Sequence, residues 1–151
     1  MFRGANNLTI DVKGRMVMPT RYRDRLQEMC SGQLVVTVDK KQCLLIYPLP
    51  DWEDIERKIM KLPATYPEVR VLQQVMVGRA TDLELDGHGR LLLPPKLREF
   101  AMLNRDAVLV GQGVRFELWD EPRWEALNDT WLASPQTPMA DLPDELKSFS
   151  F

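Results

Sequence analysis

The chain has 151 residues, 44% of them hydrophobic and 28% charged, with a formal net charge of −2 at pH 7. Such a composition suits a folded globular protein with room for one good core or two small ones, and no apolar run approaches the roughly 20 residues needed to cross a bilayer. Met1 to Asn7 lacks a signal-peptide apolar stretch, and Cys30 and Cys43 have no CxxC spacing, so a cytoplasmic chain without disulfide, zinc or other cofactor is expected, its thiols serving as buried small hydrophobes.

From the N-terminus, Leu8–Asp11 and Arg15–Met18 read as short strands of a hairpin turned by Val12-Lys13-Gly14, with Gly14 free to take the positive φ of a tight turn. Pro19 can open a helix, in which Tyr22, Leu26 and Met29 share one face while Arg21 and Arg25 lie on another. Leu34–Val38 and Cys43–Tyr47 form a second hairpin around Asp39-Lys40-Lys41-Gln42, and Trp52 opens a closing helix that runs to about Leu62. Pro63 to Pro67 breaks that helix. Glu68 to Ala80 then resumes as an ordered helical connector, with Val71, Leu72, Val75 and Met76 on one side.

The pattern then starts again. Leu83–Asp86 and Arg90–Leu93 repeat the first hairpin, and the helix after Pro94 places Leu97 and Ala101 on one face with Lys96 and Arg98 polar. Ala107–Val110 and Val114–Trp119 form the next hairpin, turned at Gly111-Gln112-Gly113, before a helix from Trp124 to about Trp131. Ser134 to Phe151, interrupted by Pro135, Pro138 and Pro143, reads as an irregular tail with one turn at Asp144–Lys147, and Phe149 and Phe151 are expected to dock on a neighbour.

The recurrence is literal in places. Asp11-Val12-Lys13-Gly14-Arg15-Met16-Val17-Met18-Pro19 returns 75 residues later as Asp86-Gly87-His88-Gly89-Arg90-Leu91-Leu92-Leu93-Pro94, and Pro50 with Trp52-Glu53 echoes Pro122 with Trp124-Glu125 at an offset of 72. A repeat that keeps its turns but not its apolar identities implies two similar units facing each other across a pseudo-twofold axis, an α+β fold of two lobes sharing one core. Charge divides the chain differently. Arg3, Lys13, Arg15, Arg21, Arg23 and Arg25 against Asp11 and Asp24 give residues 1–25 a net charge of +4, whereas residues 120–151 carry −5. A local basic face of this kind can bind phosphates while an acidic tail keeps the molecule soluble.

An Asp and an Arg four positions apart across a tight turn sit close enough for the carboxylate to hold the guanidinium. Asp11 with Arg15, and Asp86 with Arg90, therefore cap their hairpins, or they orient each arginine toward an anion. In the second case Lys13 and the turn amides face the same anion, and Arg3, Arg21 and Arg25 extend the field. The two roles are compatible. An enzyme could only be built at Asp82–Gly89, where carboxylates surround the sole histidine, His88; with no GxSxG, P-loop or HExxH, and with Gly111-Gln112-Gly113 lacking the later glycine of a dinucleotide loop, none is expected.

Asp-x-x-x-Arg followed by three apolar residues and Pro, present twice in a chain that opens Met1-Phe2-Arg3-Gly4, resembles the MraZ family of bacterial transcriptional regulators. Pro19-Thr20-Arg21-Tyr22-Arg23, Tyr47-Pro48-Leu49-Pro50 with Trp52, and Leu118-Trp119-Asp120 fit the same pattern, so the resemblance spans nearly the whole chain. It implies two SpoVT-AbrB-like swapped-hairpin units, at 5–52 and 81–124, joined by a helical connector at 53–80 and followed by a helix end and acidic tail at 125–151. It further implies a nucleoid-associated homo-oligomeric ring. That ring would bind direct repeats in promoter DNA through the first unit and repress the division and cell-wall gene cluster in which it sits. By the same resemblance Arg15 is the leading DNA contact and Asp11 orients it on the Gly14 turn, while charge and neighbourhood make Lys13, Arg3, Arg21 and Arg25 supporting contacts. In the second unit His88 replaces the lysine beside Asp82, Glu84 and Asp86, so Asp86 and Arg90 are expected to preserve a turn for folding and assembly more than to touch DNA. The alternative reading is a non-catalytic interaction module, antitoxin-like, of the same fold. Neither reading includes a membrane or a small-molecule substrate.

Overall fold

The computed structural model describes residues 1–149; Phe151, one of the two aromatics expected to dock on a neighbour, lies outside the described residues. In chain order the first half consists of β1 (Phe2–Thr9), β2 (Arg15–Val17), α1 (Thr20–Cys30), β3 (Gln33–Val38), β4 (Leu44–Pro48) and α2 (Leu49–Met60). A connector follows, made of α3 (Pro67–Leu72) and a π-helical turn at Gln73–Val77. The second half repeats the order with β5 (Thr81–Glu84), β6 (Arg90–Leu92), α4 (Pro95–Phe100), β7 (Asp106–Gly113), β8 (Arg115–Asp120) and α5 (Glu121–Ala133). Short 3₁₀ turns at Met139–Asp141 and Asp144–Leu146 punctuate the tail.

Six strands make one antiparallel sheet in the order β1-β7-β8-β4-β3-β5, and β2 pairs with β6 in a separate two-stranded ribbon. Read from either end, the sheet gives the same sequence of equivalent strands. Each half keeps its own β3–β4 or β7–β8 hairpin but sends its first strand to the other half, β1 onto β7 and β5 onto β3. This corrects the expected N-terminal hairpins. The turns form, with the Asp11 N–H donating to the Arg15 carbonyl at 3.0 Å and the Asp86 N–H to the Arg90 carbonyl at 3.0 Å, but the strands beyond each turn diverge to partners in the opposite half. Burial accounts for the divergence. Met16, Met18, Leu91 and Leu93 are fully buried only because the ribbon lies over the sheet, where a hairpin continuing in the plane of β1 would leave them in water.

Strand alternation then gives the sheet two buried faces. Leu34, Val36, Val38, Leu44, Ile46, Leu109, Phe116 and Leu118 face the ribbon, α1 and α4, in a core drawn from both halves. Val35, Cys43, Leu45, Tyr47 and Trp119 face the other way, under Trp52, Trp124 and the connector. Burial pushes the Cys43 thiol up to about 12, so it stays protonated and packs as a small hydrophobe. The half-buried Cys30 thiol is also raised by burial and donates to the Leu26 carbonyl.

Three local expectations change. Met29 is exposed, because α1 ends at Cys30 with Ser31 in the left-handed conformation, and the inward face of the helix is carried by Tyr22 and Leu26. Gly111 and Gln112 belong to β7, where Gly4 pairs with Gly111 and the backbone of β1 passes so closely that a Cβ at Gly111 would lie 2.5 Å from the Arg3 nitrogen; the chain turns at Gly113 and Val114. The connector is helical from Pro67 to Val77, but Val71, Leu72 and Val75 are exposed and line an open groove of about 820 Å³ with Val38 and Phe100. Its π-helical turn is tied to the sheet by the Thr37 hydroxyl, which donates to the Met76 carbonyl.

At the two turns glycine is required twice over. Gly14 has φ of +89° and lies against the guanidinium of Arg98, while Gly89 has φ of +73° and lies against Arg23. Gly87, two residues away, has ordinary φ and open space around it. Gly89→Ala is therefore expected to destabilise by more than about 1 kcal/mol, from the left-handed penalty and the displaced arginine, and Gly87→Ala by less than about 0.5 kcal/mol. Urea denaturation of the two variants checks the contrast.

Candidate nucleic-acid interface

Both turns are built around an aspartate. One oxygen of Asp11 accepts from the backbone N–H groups of Lys13 and Arg15, each at 2.9 Å, and the other accepts from Nε of Arg15 at 2.7 Å. Asp86 does the same for His88, at 2.8 Å, and for Arg90, at 2.9 Å to the backbone and 2.8 Å to Nε. The backbone donor of Arg90, more than its side chain, holds the Asp86 carboxyl down to about 2, and the corresponding donor of Arg15 lowers Asp11. An ion pair as exposed as these contributes little to stability. Its consequence is orientation, since a guanidinium bonded through Nε has its direction set while its terminal nitrogens stay free. Among the described residues neither arginine has another hydrogen-bond partner for those nitrogens.

The turns also lock onto each other. The Leu93 N–H donates to the Gly14 carbonyl and the Met18 N–H to the Gly89 carbonyl, both at 2.9 Å. Behind each glycine stands an arginine from the opposite half, Arg98 donating through Nε to the Leu93 carbonyl at 3.1 Å and Arg23 to the Met18 carbonyl at 2.7 Å. Neither was singled out from sequence as a site residue. A signal was present, because Arg23 and Arg98 each stand four residues after the repeated proline, at the same 75-residue offset as the turns.

The residues singled out from sequence fall into two groups. Asp11, Lys13, Gly14 and Arg15 form one turn, and the β2–β6 register, with Arg15 opposite Leu92 and Arg90 opposite Val17, places Arg90 on the same outward face of the ribbon as Arg15. Arg3, Arg21 and Arg25 form a second group at the far end of β1, lining a shallow depression of about 250 Å³ with Met1 and Tyr22. Arg21 donates to Asn6 at 2.8 Å and stacks on the Tyr22 ring, and Arg25 donates to the Met1 carbonyl at 2.7 Å over the Phe2 ring. No hydrogen bond or ion pair joins the two groups among the described residues. Lys13 is exposed beside Arg15, and His88 takes its place beside Arg90.

An internally duplicated α+β chain, its halves exchanging strands and its two Asp-clamped arginines sharing one ribbon face, is the class that fold and site define together. The family model for the MraZ protein matches residues 1–75 and again residues 76–142. Curated relatives named transcriptional regulator MraZ include those of Pseudomonas aeruginosa, 53% identical over 148 residues and 97% of each chain, and of Thioalkalivibrio sulfidiphilus, 58% identical over 131 residues and 87% of each. Another, from Halorhodospira halophila, is 49% identical over 151 residues and 99% of each chain. The chain belongs to the MraZ family.

Because the folded pKa of Asp86 is depressed, the clamp is fully charged above the ordinary carboxylate value of about 3.9 and is lost only as pH falls through about 2. Carboxyl ¹³C titration is expected to find Asp86 near that lower value. Arg90→Ala should raise it only partway, since the backbone donors remain; titration of the wild-type residue in the ordinary range would contradict the clamp.

Proposed function

We propose that the chain is a sequence-specific DNA-binding transcriptional regulator of the swapped-hairpin SpoVT-AbrB class. It represses the bacterial division and cell-wall gene cluster, including its own promoter, by binding direct repeats there as a homo-oligomeric ring in the nucleoid. The observation that carries this reading is the outward ribbon face, on which two guanidiniums are held in direction by carboxylates that are already satisfied by backbone donors. Such arginines are preorganised for an anion or a guanine edge and lose little side-chain freedom on binding. The relatives' name, transcriptional regulator MraZ, and the +4 charge of residues 1–25 support the same reading.

The roles divide along the two groups of cations. Arg15, oriented by Asp11 and flanked by Lys13, makes the leading base or phosphate contact, and Arg3, Arg21 and Arg25 add phosphate contacts from the far end of β1. Arg90 contributes less, because the exposed carboxylates of Asp82 and Glu84 lead into its turn and His88 replaces the lysine. A single face this small binds weakly. Presenting several copies at fixed spacing raises avidity by roughly 10²–10⁴, and direct repeats in the DNA would match repeated subunits in a ring. The open groove bounded by Val71, Leu72 and Val75 offers apolar surface for that assembly.

Arg15→Ala is expected to weaken binding to a fragment from upstream of the chain's own gene by about 5- to 150-fold, the range of one specific arginine contact, and to lower the salt slope by about 1. Melting temperature and subunit count should not change. Arg90→Ala should cost clearly less. Unaltered promoter binding by the Arg15 variant in a fluorescence-anisotropy titration would overturn the reading in favour of a module that holds another protein.

A further inference from the structure

The outward face of the ribbon is not wholly polar. Alternation along β2 and β6 turns Met16 and Leu91 inward and leaves Arg15, Val17, Arg90 and Leu92 outward, with Val17 47% and Leu92 55% exposed. Arg15 lies opposite Leu92 and Arg90 opposite Val17, so the two arginines occupy one diagonal of the face and the two aliphatic side chains the other.

Isolated exposed aliphatic residues are ordinary, and the usual explanation is that they cover an arginine stem. The hydrogen bonds argue against that here. Both backbone groups of Arg15 point to Asp11, and so does its Nε; both backbone groups of Arg90, and its Nε, point to Asp86. Each guanidinium is thus drawn to the outer edge of its own strand, away from the partner strand. Positions whose backbone groups turn outward form the non-hydrogen-bonded pairs of a ladder, where facing Cα atoms are about 4.5 Å apart and side chains come closest. Val17 and Leu92 are left about half exposed on the face, along the diagonal that crosses between the two cations.

A face of this composition matches one ligand surface well. The major groove of B-DNA, about 12 Å wide, admits a two-stranded ribbon, and the apolar group it displays on base edges is the thymine C5-methyl. The minor groove, about 6 Å wide, is too narrow and shows no methyl. Flanking guanidiniums supply the charge that holds the ribbon there, whereas a purely phosphate-binding face would have no use for half-exposed aliphatic side chains between them.

Resting on the DNA-binding reading above, we propose that Val17 and Leu92 are specificity-determining residues that read thymine methyl groups in the major groove while Arg15 and Arg90 hold the ribbon in place. Specificity is then shared by both halves of the chain, one aliphatic side chain from each.

The test uses the full chain and the promoter fragment from upstream of its own gene, prepared either with thymine or wholly with deoxyuridine, which removes the methyl and preserves pairing. Wild-type protein is expected to bind the uracil duplex at least fourfold more weakly, the equivalent of burying one methyl at about 0.8 kcal/mol. The V17A/L92A double variant should bind thymine DNA more weakly than wild type and bind the two duplexes equally. Val17→Thr, which keeps the branched shape, serves as the folding control and should reduce the preference for thymine without changing the subunit count. Equal wild-type affinity for both duplexes, or an undiminished preference in the double variant, overturns the proposal, as does a changed subunit count in V17A/L92A, which would make the face a contact between copies. Failure of the wild type to bind the thymine fragment at all would instead overturn the DNA-binding reading itself.

Discussion

The reciprocal docking of the two turns is the constraint on which the rest of the structure depends. The carbonyl of Gly14 is reached by Leu93 of the other half and that of Gly89 by Met18, and each glycine is backed by an arginine whose own hydrogen bond closes the same corner. Neither turn can shift alone, since moving one unmakes the backbone partner of the other. From this follow the register of β2 on β6, the burial of Met16 and Leu91 beneath the ribbon, and the shared outward face of Arg15 and Arg90. The left-handed φ at both glycines is tolerated for that gain.

Strand exchange extends the same logic to the sheet. With β1 on β7 and β5 on β3, each half supplies an edge strand that the other half pairs, and the core between sheet and ribbon takes Leu34 and Ile46 from one half and Leu109 and Phe116 from the other. A duplicated chain built this way keeps its symmetry in the interior, where both copies must fit one core, and is free to lose it on the surface. Lys13 against His88, and the carboxylates of Asp82 and Glu84 before only the second turn, are where symmetry has been lost. The two turns thus share one geometry and differ in electrostatics.

Much of the fold was legible in the sequence because its signals are local. The Asp-x-x-x-Arg turns, the helices after Pro19 and Pro94, and the β3–β4 hairpin rest on short-range rules of turn chemistry, capping and alternation. What was not legible depends on which distant strand a segment meets. Nothing in Leu8–Asp11 says that β1 pairs with β7 rather than with β2, and Gly111 reads as a turn residue until β1 is seen crossing it. The site divides in the same way: the clamp of Asp11 on Arg15 follows from spacing, whereas the placement of Arg90 on the same face follows only from the ribbon register. Charge pattern alone does not reveal Arg23 and Arg98, because Arg23 counts only toward a basic face and Arg98 only toward a polar one; their recurrence with the turns was the available clue.

The roles assigned to Arg15 and Arg90 depend on which surface meets DNA. A structure of the chain bound to its promoter duplex tests this most directly. The β2–β6 ribbon is expected to lie in the major groove, with Arg15 within hydrogen-bonding distance of a base edge or phosphate and its Nε still on Asp11. A complex in which the outward face of the ribbon is turned to solvent, or buried against a second copy of the chain, would contradict it.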